Sequence, residues 1–247
     1  HNCLVGSEMC IRDSYNLVDT WFAGRISAEA IAAIAKSFPI YFTIIAIGVG
    51  LTAGTNTLIG NNLGANNKKK ASLFIAQSII FAIFLSVLVT FFGLNVSDFL
   101  LSLMGSDPDG IILSREYLDI IFYGTIIVLI QISLNGTLNA QGDTKSYRNV
   151  LIFTFFLNIF LNPLFIFGYG FVPAFGIAGL AIATVVAQFT GLLYLAHKVY
   201  CCELKQYLKL ECFIPKFNLL GELVYQTIPV MFSICLLYTS DAADDRM

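Results

Sequence analysis

Charge is what this sequence has least of. Of its 247 residues only 12% are charged and 57% are hydrophobic, whereas a soluble domain carries about a quarter charged residues. That scarcity excludes an ordinary soluble domain and leaves a membrane protein. No basic domain and no basic patch interleaved with aromatics occurs, so nucleic acid is excluded as a partner. The only histidines are His1 and His197, and the apolar stretches hold no His-x-x-x-His, paired Asp or Ser/His arrangement. An intramembrane enzyme needs a nucleophile or metal set of that kind. No catalytic residue and no cofactor is therefore expected. The cysteines lack a paired Cys-x-x-Cys spacing, which removes zinc and a disulfide framework. Cys201, Cys202 and Cys212 are expected to be free thiols.

Both ends stand apart from the rest. Residues 4–14, LVGSEMCIRDS, and 235–245, CLLYTSDAADD, look like translated sequencing adapters. Met-Cys-Ile-Arg-Asp-Ser is a reading of ATGTGTATAAGAGACAG, a transposase mosaic end, and Cys-Leu-Leu-Tyr-Thr is a reading of its reverse complement. The expected organisation is an adapter-derived segment at 1–14, a transmembrane lobe at 15–200, a connector with the start of a second lobe at 201–234, and an adapter-derived tail at 235–247.

Between the ends lie five long apolar segments: Ala30 to Ile59, Leu73 to Leu94 with an extension to Leu103, Tyr117 to Leu138, Val150 to Phe167, and Ile177 to Ala196. Each reaches or approaches the roughly 20 residues that carry a helix across about 30 Å of hydrocarbon. Asn16 to Gly24 reads as the outer end of a further helix, and 217–233 as an interfacial stretch opening another. Lys68, Lys69, Lys70, Lys145, Arg148, Lys198, Lys205, Lys209 and Lys216 fall in loops on one side. The opposite loops hold Arg25 and Arg115, with Asp107, Asp109 and Glu116 nearby. The basic side is expected to face the cytoplasm. Small residues in 48–60 and 176–188 suit a closely packed bundle.

Polar groups at membrane depth are costly and face a cavity or another helix. At 1.5 Å per residue from each helix's outer end, Asp19 lies about 8 Å down, Asn162 and Asn158 about 9 and 15 Å, and Thr184 about 10 Å. Asn158 and Asn162, four residues apart, share one helix face. Three helices thus bring polar groups to one layer in the outer half. Asp19 is the only acid in that layer, and a bare anion there needs a proton, a cation or donors. Asp19, Asn158, Asn162 and Thr184 are candidate sodium ligands, since amide and hydroxyl oxygens suit a hard cation. Pro163 is expected to bend its helix beside them. Other readings stay open: the amides as glue between helices, Thr184 bonded back to its own helix, Asp19 at the interface. Lys36 is expected to snorkel, and Asn135 and Gln141 to serve in packing or cavity lining.

At these residues the sequence resembles the multidrug and toxin extrusion (MATE) family of antiporters. NLVDTWFAGRISAEAIAAI resembles the family's first-helix motif, LNGTLNAQGDTK its fourth-helix signature, and LNIFLNPLFIFGYG followed by GIAGLAIATVVAQ its fifth and sixth helices. The similarity runs from about Asn16 to Tyr200. It implies an all-α polytopic protein of twelve helices in two six-helix lobes, of which this chain would supply the first lobe, lacking most of helix one, and the opening of helix seven, with Pro229 where the second lobe begins. It implies a multi-pass transporter of the plasma membrane, an inner membrane if prokaryotic, exporting small organic cations against a proton or sodium gradient by alternating access, and partnered by the bilayer and the second lobe. It implies a cation-coupling set of Asp19, Asn135, Asn158, Asn162 and Thr184. In this sequence Asn162 stands where many members carry a second carboxylate. The alternative is a lipid-linked saccharide flippase of the same superfamily. That reading calls for a larger, more cationic cavity, to which only Lys36 points.

Overall fold

The computed structural model describes residues 17–170 and 172–244. The segment 1–14, the expected native start at Tyr15 and Asn16, and the last three residues of the tail lie outside them. Helix α1 covers residues 17–26. It is followed by α2 (Ala28–Gly64), α3 (Lys68–Leu103), α4 (Pro108–Ala140), α5 (Lys145–Phe167) and α6 (Ile177–Tyr200), then two short 3-10 turns (Glu203–Tyr207 and Leu210–Phe213) and α7 (Phe217–Asp244). Helices α2 to α6 are each long and apolar enough to cross a membrane, so the all-α polytopic architecture holds.

Side chains flanking the helices set where they begin. Ser27 Oγ accepts from the Ala30 N–H at 3.1 Å, Asn67 Oδ1 from the Lys70 N–H at 3.1 Å, and Asp143 Oδ1 from the Ser146 N–H at 3.0 Å. Each satisfies one of the four N–H groups that a helix start leaves open. Pro108 opens α4, where its missing N–H costs nothing. Helices α3 and α4 end alike, with a left-handed glycine, Gly105 or Gly142. The amide of the residue after that glycine bonds back five positions, Ser106 to Leu101 and Asp143 to Leu138. Only glycine adopts that turn without a Cβ clash.

These caps correct one expectation. Lys68, Lys69 and Lys70 are the first turn of α3 rather than a loop, because Asn67 draws them into the helix. Helix α7, expected as a short opening, continues to Asp244. Between residues 230 and 244 the sequence holds no glycine or proline that would break a helix.

The chain divides into two compact units. The first gathers residues up to Tyr41, Leu88–Ile127 and Tyr147–Tyr194; the second gathers Phe42–Val87, Val128–Ser146 and the residues from Leu195 on. Packing within the first unit is inverted relative to a soluble domain. Along α5, Thr154, Asn158 and Asn162 are buried while Phe153, Phe156, Phe160 and Phe167 are exposed. The polar stripe repeats every four residues on one helix face and the phenylalanines occupy the other, as lipid on one side requires. Close contacts are built on glycine. A Cβ on Gly179 of α6 would collide with the Phe165 carbonyl of α5, and one on Gly124 would stand 2.5 Å from Val185.

In the second unit, a Cβ on Gly136 of α4 would lie 2.9 Å from the Thr52 carbonyl of α2, and one on Gly54 2.7 Å from Thr227 Oγ1 of α7. Buried Gln77 of α3 ties the connector down: its Nε2 donates to the Cys212 and Ile214 carbonyls at 2.8 and 2.9 Å. Its Oε1 accepts from the Lys216 N–H at 2.9 Å. Cys201, Cys202 and Cys212 are free thiols.

Gly179→Ala is expected to force α6 away from α5 at a cost of about 1–3 kcal/mol, the range for overpacked sites. A lowered midpoint of thermal unfolding in detergent checks this, with Gly221→Ala, where a Cβ meets nothing within 4 Å, as the neutral reference.

Candidate functional site

The i, i+4 spacing on α5 brings two amides into line and aims both at the interior of the first unit. Asp19 of α1 and Thr184 of α6 meet them there. Asp19 is 5% exposed, Asn158 1%, Asn162 0% and Thr184 4%. Asn162 Nδ2 donates to Asp19 Oδ1 at 3.0 Å and to Asn158 Oδ1 at 2.9 Å. Thr184 Oγ1 donates to Asp19 Oδ2 at 3.3 Å and accepts from Asn158 Nδ2 at 3.3 Å. The four side chains therefore close a ring in which both carboxylate oxygens are bonded. The four residues placed by depth counting are brought together, and Thr184 bonds to Asp19 where a bond to its own helix was the other reading.

Pro163 lies within α5 directly after Asn162. It has no N–H to offer the carbonyl of residue 159, so the backbone ladder is interrupted beside the ring. Tyr117 of α4 was not foreseen. It is buried, and it belongs to the first unit. A tyrosine near the start of an apolar span reads as an interfacial residue, so the sequence carried no signal for it.

Asn135 makes none of the ring's four hydrogen bonds. It is buried on α4, but among the residues of the second unit, and its Oδ1 has no hydrogen-bond partner among the described residues. Both bonds made to Asp19 come from Asn162 and Thr184. Lys36, expected to snorkel, donates from Nζ to the Gly105 carbonyl at 3.0 Å. It thereby caps α3 and lines a cavity of about 290 Å³ together with Glu29, Asp107 and Asp109. Gln141 lines a separate cavity of about 570 Å³ in the second unit.

The ring offers oxygen ligands only: two from the Asp19 carboxylate and one each from Asn158, Asn162 and Thr184. Asn162 Oδ1 is buried and has no partner among the described residues. A buried acceptor left open marks a place for a proton donor or a cation. No Lys or Arg among the described residues pairs with Asp19. Such a set suits a hard cation or a proton, and it offers no soft metal ligand.

Known proteins are similar to this chain. The MatE family model matches residues 5–164, a stretch that begins inside the segment read as adapter. A FAD transporter of Shewanella oneidensis is 30% identical over 178 residues, which is 72% of this chain and 39% of the relative. The probable multidrug resistance protein YoeA of Bacillus subtilis is 29% identical over 234 residues, 92% of this chain and 50% of the relative. An inward-facing structure of a multidrug resistance MATE family transporter of the MOP superfamily superposes with a TM-score of 0.80 at 29% identity. That match covers 89% of this chain and 49% of that one. The chain spans half or less of the length of each.

Asp19→Leu removes the acceptor of two buried donors and is expected to cost about 1–3 kcal/mol. Asp19→Asn keeps one oxygen in place and should cost less. Thermal unfolding of both variants in detergent checks the order, and equal losses would mean that these hydrogen bonds carry no weight in the fold.

Proposed function

The chain belongs to the MatE family, and on that premise we propose that it forms the first lobe of a cation-coupled exporter in the plasma membrane that moves amphipathic organic cations by alternating access. The observation that supports this reading is a single carboxylate, Asp19, enclosed with three oxygen-bearing neighbours and one open acceptor, Asn162 Oδ1. An ion that binds such a ring more tightly in one conformation than in another shifts the balance between them. The coupling ion is a proton or sodium.

The steps follow from the groups present. With Asp19 ionised, Asn162 turns its amide nitrogen to the carboxylate, and Thr184 donates to the second oxygen. When a proton or sodium ion arrives, both donors face a centre that no longer needs them. A half-turn of the Asn162 amide then presents Oδ1, an acceptor for the Asp19 O–H or a ligand for sodium. Bending at Pro163, where the backbone ladder of α5 is already broken, lets this change be felt along the helix. An organic cation competes for the same negative charge, so ion and substrate exclude each other.

The substrate class follows from charge. YoeA carries a multidrug resistance name, whereas the Shewanella relative carries FAD, an anion. Asp19, which pairs with no Lys or Arg among the described residues, favours a cation. A lipid-linked saccharide flippase is the second reading, and it calls for a cationic cavity. Lys36, the residue that pointed to one, is bonded to the end of α3.

Efflux of an organic cation from vesicles holding the full-length transporter, driven by sodium and proton gradients separately, should identify the ion. Asp19→Asn should lower that efflux at least tenfold; unchanged efflux would remove Asp19 from the mechanism. Asn162→Asp adds a second carboxylate and should strengthen sodium dependence, seen as half-maximal efflux at lower sodium concentration.

A further inference from the structure

Helix α4 carries three amides on one face, Gln131, Asn135 and Asn139, at four-residue spacing. The side-chain oxygen of each is buried and has no hydrogen-bond partner among the described residues. Gln131 is 2% exposed and Asn135 5%. Neighbouring hydroxyls on the same helix behave differently. Ser133 Oγ donates to Ser78 Oγ, and Thr137 Oγ1 donates to the Ser133 carbonyl. Among the described residues of α4 in the second unit, the open oxygens are those of the three amides.

Buried acceptors are almost always satisfied by protein, water or an ion. Three in a row, about 6 Å apart at 1.5 Å per residue, make a line rather than an isolated defect. Thr55 of α2 adds a fourth unpartnered buried oxygen. Its Cβ stands 3.0 Å from where a Cβ on Gly136 would lie, one residue beyond Asn135. Beyond the last rung, Leu138, Gln141 and Asp143, neighbours of Asn139 in sequence, line the 570 Å³ cavity. All of these residues belong to the second unit.

We infer that the amide oxygens of Gln131, Asn135 and Asn139 line a hydrated track along α4 that admits monovalent cations from the cavity at the α4–α5 turn. Neutral oxygens at this spacing replace part of a cation's hydration shell without trapping it, and it is the oxygens of these amides, not their N–H groups, that are buried without a partner among the described residues. This inference does not rest on Asp19, and its test is read without transport.

The test is cysteine accessibility in the chain reconstituted in liposomes, with its native cysteines replaced by serine. Gln131→Cys, Asn135→Cys and Asn139→Cys are compared with Leu129→Cys and Leu134→Cys, buried positions off the amide face. The probes are cationic aminoethyl and anionic sulfonatoethyl methanethiosulfonate. The three amide positions should react with the cationic reagent at least tenfold faster than the two leucine positions. They should also react at least tenfold faster with it than with the anionic reagent. Rates no higher than at the leucines would show a sealed interior, and equal rates with both reagents would show water without cation preference; either overturns the inference. Thr55→Cys is nearly isosteric and supplies the same readings if an amide variant fails to fold: fast, cation-selective labelling supports the track and inert Thr55→Cys overturns it.

Discussion

Asp19 has to be ionised, protonated or cation-bound in a place where water does not reach, and its surroundings in the first unit answer that requirement. Hydrocarbon offers no donors, so a buried carboxylate persists only if protein groups stand in for its hydration shell. Asn162 and Thr184 do this at 3.0 and 3.3 Å, and Asn158 holds both in place from the side. The ring draws on three helices, so it ties α1 and α6 to α5. It is also under-satisfied by one oxygen, Asn162 Oδ1. The ring thus has its donors matched to an anion and one acceptor to spare.

The bundle makes this affordable through backbone proximity. Gly179 allows α6 to lie against the end of α5, and Gly124 admits Val185. A larger residue at either point would push α6, and Thr184 with it, away from the carboxylate. Packing in lipid rests on such fits, because apolar burial supplies little drive between helices there. The same need to bond every buried polar atom shapes the second unit, where Gln77 satisfies all of its amide by holding the connector.

Much of this was legible in the residues themselves. The five spans follow from run length. The meeting of Asp19, Asn158, Asn162 and Thr184 follows from counting depth and from the i, i+4 rule, because a helix converts spacing into position with little freedom. Asn135 enters the expected set by resemblance alone, with no depth or spacing argument behind it. The start of α3 was missed because three lysines look like a loop until Asn67 is seen to cap them. The burial of Tyr117 could not be read, since it depends on how α4 is rotated about its axis, which a one-dimensional pattern leaves undetermined.

The central claim is that the Asp19 carboxyl is the group that changes state when the coupling ion binds. Infrared difference spectroscopy of the chain in lipid, recorded on adding sodium and on changing pH, observes that carboxyl directly. The account predicts a carboxyl band that shifts or appears with the coupling ion and is lost in Asp19→Asn. Identical difference spectra for the wild type and Asp19→Asn would contradict it.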